Sequence, residues 1–330
     1  MRLKKTLFML KKFRIDLQAP RDRYRLCDDW QSSNLGDYYF LFDEERVAAG
    51  QDQKLIHSFD ADGIPINKTY IDVADQELVY FPISIGQLGL AVYHTWLKTN
   101  RANDRDRFLK FVAWFYRHAD LSDAGARWLT EVALPQYHNP GPWASAFAQS
   151  RGLSILLRGF QLTGETRYAE LATRALIPFT RPVAEGGVTV FTEYGPFYEE
   201  YTATVPTLVL NGMIFSLCGL LDYRRVFPAD PLGRQLYNDG VATLKAILPQ
   251  YDLGYWSRYN LCQAEWYPAI DPATIAYHRL HITQLQLLSR WTNDPVFKEW
   301  ENRFRRYDTV ANALKMYHTK FRSLKQLNRL

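Results

Sequence analysis

Two short stretches of the chain hold the residue types that move protons. One is Phe197-Tyr198-Glu199-Glu200-Tyr201; the other begins Tyr277-His278-Arg279-Leu280-His281 and continues to Gln284-Leu285. Both set phenols, imidazoles or carboxylates beside apolar runs of helical spacing, surroundings that tune side chains for acid–base work. On a helix over 273–290, Tyr277, His281, Gln284 and Leu288 fall at i, i+4, i+7 and i+11, so three polar groups share one stripe. Such a stripe lines either a cavity or a satisfied buried network. Glu199 and Glu200 precede an apolar helix with Pro206 in its first turn, where a carboxylate also serves as a cap or dipole partner. Adjacent acids point different ways, so at most one of them faces a cavity.

Other polar residues interrupt apolar helices. Asn211 sits among Val209, Leu210, Met213, Ile214 and Phe215, either as a structural amide or as one facing a cavity. Gln149 and Arg151 interrupt an earlier helix in the same way. An unpaired arginine is costly to bury, so Arg151 is expected to meet an acid of the protein or an acidic ligand. Asp60, Asp62 and Gly63 begin like a calcium loop, but the closing glutamate is missing, and no metal site is expected. No HExxH, GxGxxG, phosphate-loop or GxSxG pattern occurs, which counts against proteases, nucleotide enzymes and serine hydrolases.

The elements that must position these residues repeat. From Ile83 onward an apolar helix is followed by a short turn and a charged amphipathic helix. Leu90, Tyr93 and Leu97 lead to a break at Asn103-Asp104, then Phe108, Phe111, Val112 and Phe115. The unit returns as Trp143–Phe160 with a break at Thr163-Gly164-Glu165, and as Leu208–Leu221 with a break near Pro228-Ala229-Asp230. It returns last as Ile275–Trp291 with a break at Thr292-Asn293-Asp294-Pro295. Units spaced by roughly sixty residues predict a mainly α fold, an α/α toroid of about four helical hairpins; an open solenoid is the alternative. The connections 120–142, 179–203 and 249–271 are long and rich in Tyr, Trp, Pro and Gly, and are expected to gather at one rim. The chain thus divides into a basic lead (1–26), a small β-rich element (27–82) punctuated by the turn Asp60–Pro65, the toroid (83–306) and a basic C-terminal tail (307–330).

Composition narrows the function classes. The formal charge of +5 is uneven. Residues 1–26 carry +7 and residues 298–330 carry +6, which leaves −8 on the body. Basic ends attract an anionic polymer or an anionic membrane face, and no nucleic-acid motif accompanies them. Aromatics at 15% supply faces that stack on sugar rings, as well as core volume. Cys27, Cys218 and Cys262 form no CxxC pattern, which argues against a disulfide framework or a thiolate zinc site. The apolar run near Met1 is too short for a signal peptide, so a cytoplasmic protein is expected. The lead Met1–Ile15 alternates apolar and basic residues and suits a helix on an anionic membrane face, a solvated arm or a dimer contact.

Several segments resemble one family. Tyr198-Glu199-Glu200-Tyr201, Val209-Leu210-Asn211-Gly212, Tyr259-Asn260-Leu261 and Tyr277-His278 through Gln284–Leu288 are similar to the C-terminal region of the glucuronyl C5-epimerases, most clearly over 194–303. The resemblance implies inversion of C5 in glucuronate residues of a heparan-type polymer, without a cofactor and in a homodimer. It picks Glu200 over Glu199, and it implies Glu200 and Tyr277 as the proton-transfer pair with Tyr201, Tyr259 and Asn260 alongside. The chemistry is consistent with those types. A proton alpha to a carboxylate leaves one ring face and another arrives on the opposite face, so two groups are needed, plus donors for the dianion that develops. Where the family reads Tyr-Asp/Asn-Leu-Arg-His, this chain has Tyr259-Asn260-Leu261-Cys262-Gln263. The arginine is absent, and Arg258, Arg279 and Arg151 are candidates to replace it. His278, His281, Asn211 and Gln149 complete the expected substrate contacts. A polysaccharide lyase shares the first proton step, and a glycan-binding protein that lost catalysis is the non-enzymatic alternative.

Overall fold

Short antiparallel pairings open the fold. β1 (Arg25–Leu26) pairs with β2 (Phe40–Leu41), and α1 (Glu44–Ala48) follows, with the Asp43 side chain accepting from Arg46 N. β3 (Ile56–Phe59), β4 (Pro65–Lys68) and β5 (Leu78–Val79) form a second small antiparallel sheet. The turn between β3 and β4 is held by Asp60 Oδ1, which accepts from Asp62 N and Ile64 N, while Gly63 supplies the left-handed φ of 79°. This computed structural model describes Lys11, residues 14–18, 24–49, 56–69 and 77–329. Most of the expected amphipathic lead Met1–Ile15 therefore lies outside the described residues.

From Pro82 the chain is mainly helical. α2 (Pro82–Thr99) ends at Asn100 with φ 50°, and α3 (Ala102–Arg117) returns beside it. The break falls at Asn100, ahead of the expected Asn103-Asp104. Asp104 is instead a buried first-turn acid that accepts from the Thr99 hydroxyl at 2.6 Å. β6 (Asp120–Ser122) and β7 (Gly125–Arg127) make a hairpin. α4 (Ala146–Thr163) is capped by Ser145 and closed by Gly164, and α5 (Thr166–Arg174) follows. A second hairpin, β8 (Thr189–Thr192) with β9 (Gly195–Tyr198), precedes α6 (Leu210–Val226) and the Asp230-capped α7 (Pro231–Ile247). α8 (Ile275–Thr292) is capped by Thr274 and closed by Asn293; Asp294 then caps α9 (Pro295–Tyr307).

The first helix of each pair is the buried one, and these helices pack in chain order: α2 on α4, α4 on α6, α6 on α8. α3, α5, α7 and α9 lie against their partners and keep a charged face outward. A segment from the N-terminal element crosses all the inner helices. Its Tyr38 N donates to His94 on α2, and its Tyr39 hydroxyl donates to Asp222 on α6 at 2.7 Å. Gly36 O accepts from Arg158 on α4, and the Tyr39 ring meets Trp291 of α8 edge-on at 4.6 Å. Burial holds His94 neutral, its pKa lowered to about 3, so it can accept at Nε2.

The stretch read as a basic tail contains helix α10 (Val310–Gln326). It buries Ala313 and Met316 against Trp256 and Ile275, and its basic residues occupy the remaining faces. Cys27, Cys218 and Cys262 are buried and free. Among the described residues no helix is long and apolar enough to cross a membrane.

Candidate active site

Hairpin β8–β9 delivers the two glutamates. Glu199 N donates to Val188 O, and Glu199 O accepts from Ala146 N at the start of α4, so the dipeptide is pinned from both sides. The Glu199 carboxylate turns back into the chain. It accepts from Thr207 N at 2.9 Å, from Leu208 N at 3.1 Å and from the Thr207 hydroxyl. Leu208 holds a φ of 50°, unusual for a branched residue, and its carbonyl accepts from the Tyr251 hydroxyl. Glu199 is therefore the clamp that fixes this strained approach to α6.

Glu200 faces the other way. Asn211, in the first turn of α6, donates through Nδ2 to Oε2 at 3.0 Å. Gly212 makes the approach possible, because a Cβ there would stand 2.3 Å from the Glu200 Cβ and 2.5 Å from Oε2. Burial pushes both carboxyls up to about 7. The Thr207 and Leu208 donors oppose that rise at Glu199, the Tyr201 and Asn211 side chains oppose it at Glu200, and the neighbouring Glu199 adds to it.

The tyrosines gather on Glu200. Tyr201 hydrogen-bonds to Glu200 and to Tyr259, and the Tyr259 ring meets the Tyr277 ring at 5.0 Å and 62°. Burial, then the Glu200 charge, hold the Tyr259 phenol well above its ordinary value. Tyr277 sits half-buried in the first turn of α8. On the far side, Asn260 donates to the Tyr137 and Tyr267 hydroxyls, and Tyr267 donates to Asp271 at 2.9 Å. Tyr137 stacks on Tyr267 at 5.5 Å and tilts against Tyr201, while Trp143 meets Tyr201 edge-on. Asn139 Nδ2 donates to Thr202 O, and His138 stacks on Trp266 at 4.1 Å. The three long connections thus pack on one another around Glu200, as their composition suggested.

Several expected substrate contacts are given other work. Gln149 is fully buried and braces the start of α4, donating to Ala126 O and Ala175 O and accepting from Trp128 N. Arg279 pairs with Asp308 and donates to Asp16 O. His278 stacks on Trp256 at 3.9 Å, its Nε2 meets Phe304 O, and burial lowers its pKa to about 4. His281 lies buried behind it, sharing the Ser257 hydroxyl. Gln284 donates to Asn211 O, so the polar stripe of α8 is a buried network below Tyr277. Arg151 meets neither acid nor solvent: its guanidinium lies among the rings of Tyr38, Phe42, Phe147 and Phe215, 4.8–5.3 Å from their centres. Arg258 donates to Ala269 O.

The sequence reading did not single out Gly212, Tyr137, Tyr267 or Asp271 as site residues. Gly212 carried a signal, since glycine early in an apolar helix costs stability without a reason. The others act across loops and leave no local trace. A concavity lined by Glu299, Trp300, Asn302, Arg303 and Arg306 follows α9 and includes none of the clustered residues. Among the described residues no group of three or more His, Cys, Asp or Glu side chains could hold a metal ion.

Helical hairpins thus hold a buried glutamate among phenols on an α-helical frame. The fold is shared with the cellobiose 2-epimerase of Spirochaeta thermophila: TM-score 0.50, 12% identity, covering 79% of this chain and 65% of that one. The family model described as D-glucuronyl C5-epimerase C-terminus matches residues 122–306, and the chain belongs to that family. It is 32% identical over 176 residues to the D-glucuronyl C5-epimerase of Caenorhabditis elegans, covering 50% of this chain and 29% of that protein. It is also 28% identical over 226 residues to uncharacterized protein MJ1128 of Methanocaldococcus jannaschii, 63% of this chain and 70% of that one. The chain therefore spans less than a third of the worm enzyme it matches.

Proposed function

We propose that the protein is a carbohydrate epimerase that inverts C5 of D-glucuronate residues to L-iduronate within a heparosan-like polymer. The observation that carries this reading is the Glu200 carboxylate, held by Asn211 with Tyr201 and Tyr259 beside it and Tyr277 against the Tyr259 ring. A carboxyl whose pKa is pushed up to about 7 is a competent base near neutrality, and a protonated phenol is a competent acid. Glu200 removes the C5 proton, and the C–H electron pair spreads into the sugar carboxylate. Tyr277 returns a proton on the opposite face, and the pair moves back to C5. No electrons are gained or lost. The frame of this reading is an α/α toroid. The ordered packing of the inner helices supports it, as does the segment that touches both α2 and α8.

The test is incubation with unsulfated heparosan in deuterated water. Deuterium at C5 together with iduronate is expected, and no exchange on several glucuronate polymers would sink the reading. Absorbance from an unsaturated uronate would instead identify a lyase. Binding without exchange would identify a glycan-binding protein. With Tyr277→Phe, epimerisation should collapse while C5 exchange persists, because Glu200 can return what it takes; with Glu200→Gln, both should be lost on a glucuronate polymer. A cytoplasmic homodimer touching an anionic membrane face through its basic lead is part of the same proposal. Sedimentation with anionic vesicles at low and high salt checks that contact, and sedimentation velocity checks the dimer.

A further inference from the structure

A proton leaving C5 makes a dianion of the sugar carboxylate, and that charge needs a cation or strong donors beside it. The arginines expected for this role have other neighbours. Arg151 is enclosed by aromatic rings, Arg279 is held by Asp308, and Arg258 points to Ala269 O. Another cation does reach the tyrosine cluster. Lys320, on α10, places Nζ 2.6 Å from Asp271 Oδ1 and 5.6 Å from the centre of the Tyr259 ring. Its side chain is 12% exposed. The same Tyr259 ring meets the Tyr277 ring at 5.0 Å.

Lys320 is also well held. Asp271 accepts the Tyr267 hydroxyl on its other oxygen, and its backbone carbonyl accepts from Tyr259 N. Ser323, three residues on, donates to Ile270 O and fastens the helix to the same loop. Asp271 uses one ammonium donor, and an ammonium has three. The pairing fixes the amine in place, which is what a preorganised electrostatic contact requires.

We propose that Lys320 binds the carboxylate of the reacting sugar and stabilises the dianion formed at C5 exchange. This rests on the epimerase reading. It assigns the role to a helix that follows the residues matched by the family model. When the C5 proton goes to the base, the added charge on the carboxylate oxygens is met by the Lys320 N–H groups. It is released when C5 is reprotonated.

The experiment uses the full chain with heparosan oligosaccharides and their carboxyl-reduced counterparts. It compares wild type, Lys320→Arg, Lys320→Met and the double variant Lys320→Met with Asp271→Asn. The double variant removes both charges, so Asp271 is not left buried and unpaired. C5 deuterium exchange is expected to fall about 10²–10³-fold in both variants lacking the ammonium, and less than about 10-fold in Lys320→Arg. In binding, measured by calorimetry, wild type should prefer the carboxylate oligosaccharide over the reduced one, and the double variant should lose that preference, which a purely structural role would leave intact. Undiminished exchange or preference in a folded double variant overturns the assignment to Lys320 and leaves the epimerase reading standing. If wild type exchanges nothing on any glucuronate polymer, the epimerase reading falls and this proposal falls with it.

Discussion

Glu199 and Glu200 are neighbours of one residue type, yet their surroundings divide the work between them. Glu199 has donors on both oxygens and serves the backbone, whereas Glu200 shows its carboxylate to Asn211 and the phenols. The variants should therefore move stability in opposite directions. Glu200 binds its proton more tightly folded, at about 7, than at its ordinary 4.5, so the stability it contributes is full below about 4.5 and is lost as pH rises through about 7. At pH 8 the Glu200→Gln variant should melt higher than wild type, and the gap should close toward pH 4.5. Glu199→Gln should cost about 1–3 kcal/mol, because one amide end then faces the Leu208 and Thr207 donors. Thermal melts across pH check both, and a melting temperature for Glu200→Gln below wild type at pH 8 would contradict the division. If ionised Glu200 is the base, the exchange rate should rise with one proton's slope through about 7. The chemical types of these residues were legible in sequence. Their orientation was not, since it depends on where Thr207 and Leu208 return after a loop.

At the level of elements, the helices could be read from apolar periodicity and three of the four hairpin breaks from turn signals. Gly164, the Asp230-Pro231 step and Asn293 ahead of Asp294-Pro295 sit where the helices stop and start. The strands inside the long connections were less visible, because β6 to β9 are short and pair only with their immediate neighbours. The helix formed by the basic C-terminal stretch escaped notice because charge dominated its composition over a sparse apolar stripe. α6 carries a sharper prediction. Alanine is the better helix former by about 1 kcal/mol, yet Gly212→Ala would drive a methyl into Glu200. Far-UV circular dichroism should be unchanged while C5 exchange falls on the order of 10²-fold, the usual cost of misplacing a reacting group. Full activity in this variant would mean that Glu200 has freedom the packing denies it.

At the scale of the whole molecule, the run Leu35–Phe42 had only the look of a short β-like stretch. Its role depends on partners far away along the chain: Tyr39 meets Asp222 across 183 residues, and Arg158 joins the same buried carboxylate at 2.7 Å. Nothing local announces such a contact, which is why a pattern of alternating residues could not locate it. Bringing that segment home closes a very long loop, a step whose entropy is recovered only once the inner helices already stand together. It should be among the last pieces to settle and, once settled, should not come loose by itself, because it is bonded to several helices at once. The Tyr38 amide, bonded to His94 at 2.9 Å, is a natural reporter. In native-state amide exchange it should open only with the global unfolding of the chain, as slowly as the middle of α6. Faster opening there would reveal a domain that breathes at its N-terminal end before it unfolds.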